Sequence, residues 1–156
     1  MKNELKYKIN NIQNLSITAE VYHHIVAHRQ LNDKQEESGG QLFAYIDRYN
    51  VNIIKATGPN KLDKRGRFSF LPSIFYQRQE IQHFYCKGLH YVGDWHTHPE
   101  VFPKPSRIDI YSMQKAFQKS QHDLQWFIMI IVGQDNSLDG LSVNLINHTE
   151  CIRLYS

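Results

Sequence analysis

The residues best equipped for chemistry lie in one stretch, Gly93-Asp94-Trp95-His96-Thr97-His98-Pro99-Glu100-Val101-Phe102-Pro103-Lys104-Pro105-Ser106-Arg107-Ile108-Asp109. His96 and His98 stand two apart, so on a strand both imidazoles leave the same face and can converge on one ion. Asp109 falls in the first turn of a helix that Ser106 opens. Two imidazoles and one carboxylate leave a fourth tetrahedral position open for water, which is the arrangement of a catalytic rather than a structural zinc site. Nine histidines in 156 residues give about 0.5 HxH pairs by chance, and requiring the serine and the aspartate lowers this to roughly 0.002. Ser106 and Asp109 also read as a capping box, S-x-x-D, and the two readings agree, because a first-turn carboxylate can cap and face a metal. Asp94 shares the face of His96 and His98 by alternation. It is either a carboxylate that orients a ligand from behind or a strand-end polar residue. Trp95 and Thr97 point the other way, into a core.

A second cluster competes. Glu20, His24 and His28 fall at i, i+4 and i+8 and share one helix face, but no HExxH order accompanies them, and a solvated face is the better reading. Lys61, Lys64, Arg65 and Arg67 form a basic loop, expected to be solvated, that could also meet an acidic partner.

HxH, seven residues, then SxxD resembles the signature of the JAB/JAMM (MPN+) metalloproteases, and Glu37-Ser38-Gly39-Gly40-Gln41-Leu42 is similar to that family's ExGG segment. The resemblance runs from about Leu15 to Val132, and Trp95-His96-Thr97-His98-Pro99 sharpens it toward short prokaryotic JAB proteins of anti-phage (CBASS-type) and mobile-element operons. There such proteins accompany E1/E2-like conjugating enzymes, notably beside a cyclic-nucleotide synthase. The resemblance implies one Zn2+ per chain on His96, His98 and Asp109, Glu37 as general base (Glu36 if the register shifts by one), and Ser106 as donor to the developing oxyanion. It implies a zinc isopeptidase that hydrolyses the amide between a protein's C-terminal tail and a target amine. The tail would belong to a ubiquitin-like protein or a conjugated cyclic-nucleotide synthase. Two alternatives stand beside it: a non-catalytic MPN scaffold, and a JAB hydrolase acting on sulfur-carrier protein adducts. The P-C-x-x-C signature of the related deaminases is absent.

The elements that must position these residues follow from periodicity. Leu15 to Gln30 reads as an amphipathic helix with Ile17, Val21 and Ile25 at four-residue spacing, capped by Thr18 or Ser16. Gly40 to Ile46 and Val51 to Ala56 read as a hairpin ended by Gly58-Pro59. The basic loop, Asn60 to Arg67, precedes a short strand over Phe68 to Leu71. Ser73 to Lys87 reads as a helix with Ile74, Arg78, Ile81 and Tyr85 along one side, stopped by Gly88. Leu89 to His98 is a strand, Ser106 to Lys119 a third helix, and Leu124 to Val132 a central strand. Leu141 to Asn147 and Cys151 to Tyr155 complete the set. Interleaved strands and helices predict one domain over 1–156, a three-layer α/β sandwich with a central mixed sheet, and the JAB/MPN resemblance implies its cytidine-deaminase-like form.

Composition excludes other classes. With 41% hydrophobic residues and a net charge of +3, the chain can fill a core and lacks the charge density of a nucleic-acid binder. No stretch approaches 18 apolar residues, so no membrane span is expected. The start, Met1-Lys2-Asn3-Glu4-Leu5-Lys6, has no apolar leader core. Two cysteines, Cys86 and Cys151, outside any CxxC pair suit a reducing cytoplasm.

Overall fold

Apolar residues at two-residue spacing build the sheet that carries the site. The computed structural model describes residues 4–156; Met1–Asn3, the head of the stretch read for a leader, lie outside them. The chain runs β1 (Leu5–Lys8), β2 (Asn14–Ile17), α1 (Ala19–Val26), β3 (Gly39–Ile46) and β4 (Asn50–Ala56). A short hairpin follows, β5 (Lys64–Gly66) and β6 (Ser69–Leu71), then α2 (Ile74–Tyr85), β7 (His90–Thr97) and α3 (Arg107–Lys119). The last strands are β8 (Phe127–Val132), β9 (Leu141–Ile146) and β10 (Cys151–Leu154). Eight strands form one mixed sheet in the order β1-β2-β4-β3-β7-β8-β9-β10, with β2·β4 and β7·β8 parallel, and β5–β6 stands apart. The expected mixed α/β architecture with a large central sheet and three helices is therefore present.

β8 is buried along its whole length, as a central strand must be. On one sheet face α1 packs over Ile53, Leu42, Val92 and Trp95; on the other, Met113 of α3 meets Phe127, Met129 and Ile131. Gly93, with φ 145°, lets β7 pass so close to β8 that a Cβ there would overlap the Ile128 carbonyl.

Three expectations are corrected. The helix expected over Leu15–Gln30 is a strand followed by a shorter helix. Leu15 and Ile17 are fully buried, and β2 pairs with β1 on one side and β4 on the other. Thr18 then caps α1, its Oγ1 accepting from the Val21 N–H at 3.3 Å. The spacing of Ile17, Val21 and Ile25 misleads because the strand passes directly into the helix and all three are buried. In α2 the side traced by Ile74, Ile81 and Tyr85 is exposed; the helix anchors instead through Phe84 against Phe43, with ring centres 4.5 Å apart. The basic stretch is not all loop, because Lys64–Gly66 forms β5 and pairs with β6, while Lys61, Lys64 and Arg65 are exposed as expected.

Candidate active site

The end of β7, the start of α3 and the segment before β3 bring the chemistry together. Ser106 is the N-cap of α3: its Oγ accepts from the Asp109 N–H at 3.0 Å, and Asp109 Oδ2 accepts from the Ser106 N–H at 2.8 Å. The capping box sets the Asp109 carboxylate, and the same Oδ2 lies 3.3 Å from His96 Nε2 and 3.1 Å from His98 Nε2. The two Nε2 atoms are 3.1 Å apart.

Three lone-pair-bearing atoms at mutual distances of 3.1–3.3 Å match the edges of a tetrahedron drawn around an ion with ligand bonds of about 2.0–2.1 Å. The Glu100 carboxylate can only accept, so His98 Nδ1 donates to its Oε1 at 2.7 Å. In the neutral ring this leaves Nε2 unprotonated, as a metal ligand needs, and without an ion a protonated His98 also donates from Nε2 to Asp109. Within the group, burial raises the Asp109 carboxyl. The hydrogen bonds from His96 and His98 outweigh that and hold it well below the usual carboxylate range. Burial lowers His98, but the hydrogen bonds to Asp109 and Glu100 raise it more. The donor set fits a divalent cation, and His96, His98 and Asp109 are the group that could hold one among the described residues.

Glu37 is 5% exposed and lines the same cavity, of about 650 Å³, as His96, His98, Ser106 and Asp109. Burial pushes its carboxyl up to about 7; His98 opposes this, and Asp109 and Glu100 add to it. Its backbone is clamped. The Glu37 N–H donates to the Gly66 carbonyl at 2.8 Å. Arg65 Nε donates to the Glu37 carbonyl and Arg65 Nη2 to Ser38 Oγ, both at 2.7 Å. Ser38 in turn exchanges hydrogen bonds with Thr97, whose Oγ1 donates to the buried Gln30. Glu36 is exposed. Gly40 allows Thr57 to approach so closely that a Cβ would overlap its carbonyl, and Trp95 Nε1 donates to the same oxygen at 2.8 Å.

Other expected residues part company with the site. Asp94 lines the cavity, yet its Oδ1 accepts from the Tyr91 hydroxyl at 2.9 Å and no histidine contacts it. The carboxylate on His98 is Glu100, whereas Asp94 stands four residues before His98 on the strand and bonds Tyr91 instead. Glu100 stands two residues past His98, and that spacing was the signal available for it. Arg65 and Gln30 had no such signal. Trp95 and Thr97 are buried as expected. In the rival cluster His24 and His28 stay together, 5.2 Å apart between ring centres and half-buried against Trp95 rather than on a solvated face. But His24 Nε2 bonds the Gly58 carbonyl and His28 Nδ1 the His24 carbonyl, both at 2.8 Å, and Glu20 pairs with Lys55.

Residues 18–145 match the family described as prokaryotic homologs of the JAB domain. A relative from Escherichia coli, named CD-NTase/cGAS isopeptidase, is 30% identical over 85% of this chain and 84% of its own. One of the same name from Pseudomonas aeruginosa is 30% identical over 69% and 70%. A solution structure of a Desulfitobacterium hafniense protein superposes with a TM-score of 0.62 at 19% identity, covering 88% of this chain and 87% of that one.

Proposed function

Since the chain belongs to the prokaryotic JAB-domain family, we propose that it is a zinc-dependent isopeptidase. Its bond is the amide joining a protein's C-terminal tail to a target amine. The conjugated protein we propose is a CD-NTase, or failing that a ubiquitin-like protein, attached by an E1/E2-like enzyme in cytoplasmic anti-phage defence. The observation that carries the reading is the convergence of His96, His98 and Asp109 on a cavity that the buried Glu37 also lines. The names of the relatives support the choice of conjugate, and two free cysteines suit a reducing compartment.

His96, His98 and Asp109 would hold the metal, with Glu100 fixing the His98 ring. When bound, zinc supplies Lewis acidity toward the scissile carbonyl and toward water. Glu37 takes a proton from the attacking water and returns it to the leaving nitrogen, for which a carboxyl shifted up to about 7 is well matched. Ser106 Oγ accepts from the Asp109 N–H and donates to no group among the described residues, which leaves its proton for the carbonyl oxygen as charge develops there. The free edge of β6 offers main-chain groups to an extended tail. The cavity lining includes exposed Phe68, Leu71 and Ile108, an apolar rim suited to a protein surface.

The test is a tail-to-lysine fusion incubated with the protein, with and without a chelator. Cleavage that the chelator stops and zinc restores is expected; a metal-loaded protein that binds the fusion but never cuts it would instead indicate a scaffold. His96→Ala and Asp109→Ala should each lose zinc on metal analysis of purified protein, and full retention by either would remove that residue from the ligand set.

A further inference from the structure

The catalytic groups occupy only one end of the cavity. Its inner end runs back along β7 beside α3, lined by Met113, Ala116 and Met129, the last of which pairs with Asp94 across the β7–β8 register. Gln77 and Ser112 also line the cavity, and the charged group away from the metal-binding end is Asp94, two residues before His96 and so about 6.6 Å back along the strand. Tyr91 donates to its Oδ1; Oδ2 has no hydrogen-bond partner among the described residues. Opposite on β3, Gln41 turns its amide nitrogen to Glu80 and to the Gln77 carbonyl, not to Asp94. Neither Asp94 nor Glu80 forms an ion pair among the described residues. A carboxylate at the end of a mostly apolar channel, without a basic partner among the described residues, is an arrangement that a long basic side chain satisfies. Its methylene stem lies along the walls and its charged head reaches the oxygen.

We propose that this inner cavity is a subsite for an arginine or lysine side chain of the substrate, one or two residues from the scissile amide, with Asp94 as the specificity-determining residue. The proposal rests on the isopeptidase reading for the chain that delivers the side chain, but not for the pocket's chemistry. It also supplies a reason for a carboxylate that makes no contact with the metal-binding group.

The probe is n-butylguanidinium against neutral n-butylurea, titrated into the protein and followed by NMR at the Met113 and Met129 methyl groups. The cation should bind at least about tenfold tighter than the urea. Asp94→Asn should abolish that preference, and Ala116→Leu, which narrows the channel and keeps the carboxylate, should weaken the cation as well. Equal binding of the two probes, a preference that survives Asp94→Asn, or no saturable shift at the two methionines overturns the proposal. Tail fusions carrying Arg or Met at positions flanking the amide give the second readout. A kcat/KM preference for Arg that Asp94→Asn removes supports the subsite, and equal kcat/KM overturns it. Failure to cleave any fusion contradicts the isopeptidase reading, while the fragment titration still decides the subsite.

Discussion

At the residue scale, Glu37 is costly to the fold. Its carboxyl is raised from 4.5 to about 7 by burial, so between those values the folded protein holds a proton that the unfolded chain has lost. Its contribution to stability is therefore full below about pH 4.5 and declines as pH rises toward 7. Glu37→Gln removes the penalty. At pH 8 the metal-free variant should be more stable than the metal-free parent by up to about 3 kcal/mol, with no gain at pH 4; urea unfolding at both pH values checks this. The same variant should keep its zinc and lose about 10²–10⁴-fold in kcat. Glu100→Gln should weaken zinc about 10–100-fold by releasing the His98 ring, read by competition with a chromogenic chelator. The meeting of His96, His98 and Asp109 was legible because strand and helix periods place them from local spacing alone. Arg65 and Gln30 were not, since their partners lie 28 and 67 residues away and no local pattern marks them.

At the scale of elements, the capping box and the metal group share one carboxylate, so α3 cannot be disturbed without disturbing the site. Ser106→Ala should cost about 1 kcal/mol in stability and, separately, about 10²–10³-fold in kcat. A kcat unchanged beside a lowered melting temperature would leave Ser106 a cap alone. Gly93→Ala should destabilise by on the order of 3 kcal/mol or more, because β7 and β8 must part for the new Cβ; a variant with the parent's melting temperature would contradict that packing. The strands flanking the site could be read from alternation, whereas β1 and β2 could not. The short runs at Leu5–Lys8 and Asn14–Ile17 carry too few residues to separate a period of 2 from one of 3.6, and only pairing with β4 settles β2 as a strand.

At the scale of the whole molecule, two apolar clusters on opposite sheet faces give the fold a core independent of any ion. Stripping the metal should therefore lower the melting temperature without unfolding the protein at 25 °C, and the shift should grow with free zinc as mass action requires. Differential scanning calorimetry across a zinc series measures it. The architecture was legible as interleaved strands and helices. The sequence did not show that the β5–β6 hairpin closes over the segment bearing Glu37, because that contact is made through Arg65 and the Gly66 carbonyl. No helix among the described residues is long and apolar enough to cross a membrane.

Glu37, beside a metal held by His96, His98 and Asp109, is expected to hydrolyse a tail-to-amine amide. Intact-mass analysis of a CD-NTase tail joined to a lysine amine, after incubation with zinc-loaded parent and zinc-loaded Glu37→Gln, tests it directly. The account predicts scission at the tail's terminal carbonyl, one water gained across the two products, by the parent alone. An intact fusion with the parent, or equal scission by the variant, would contradict it.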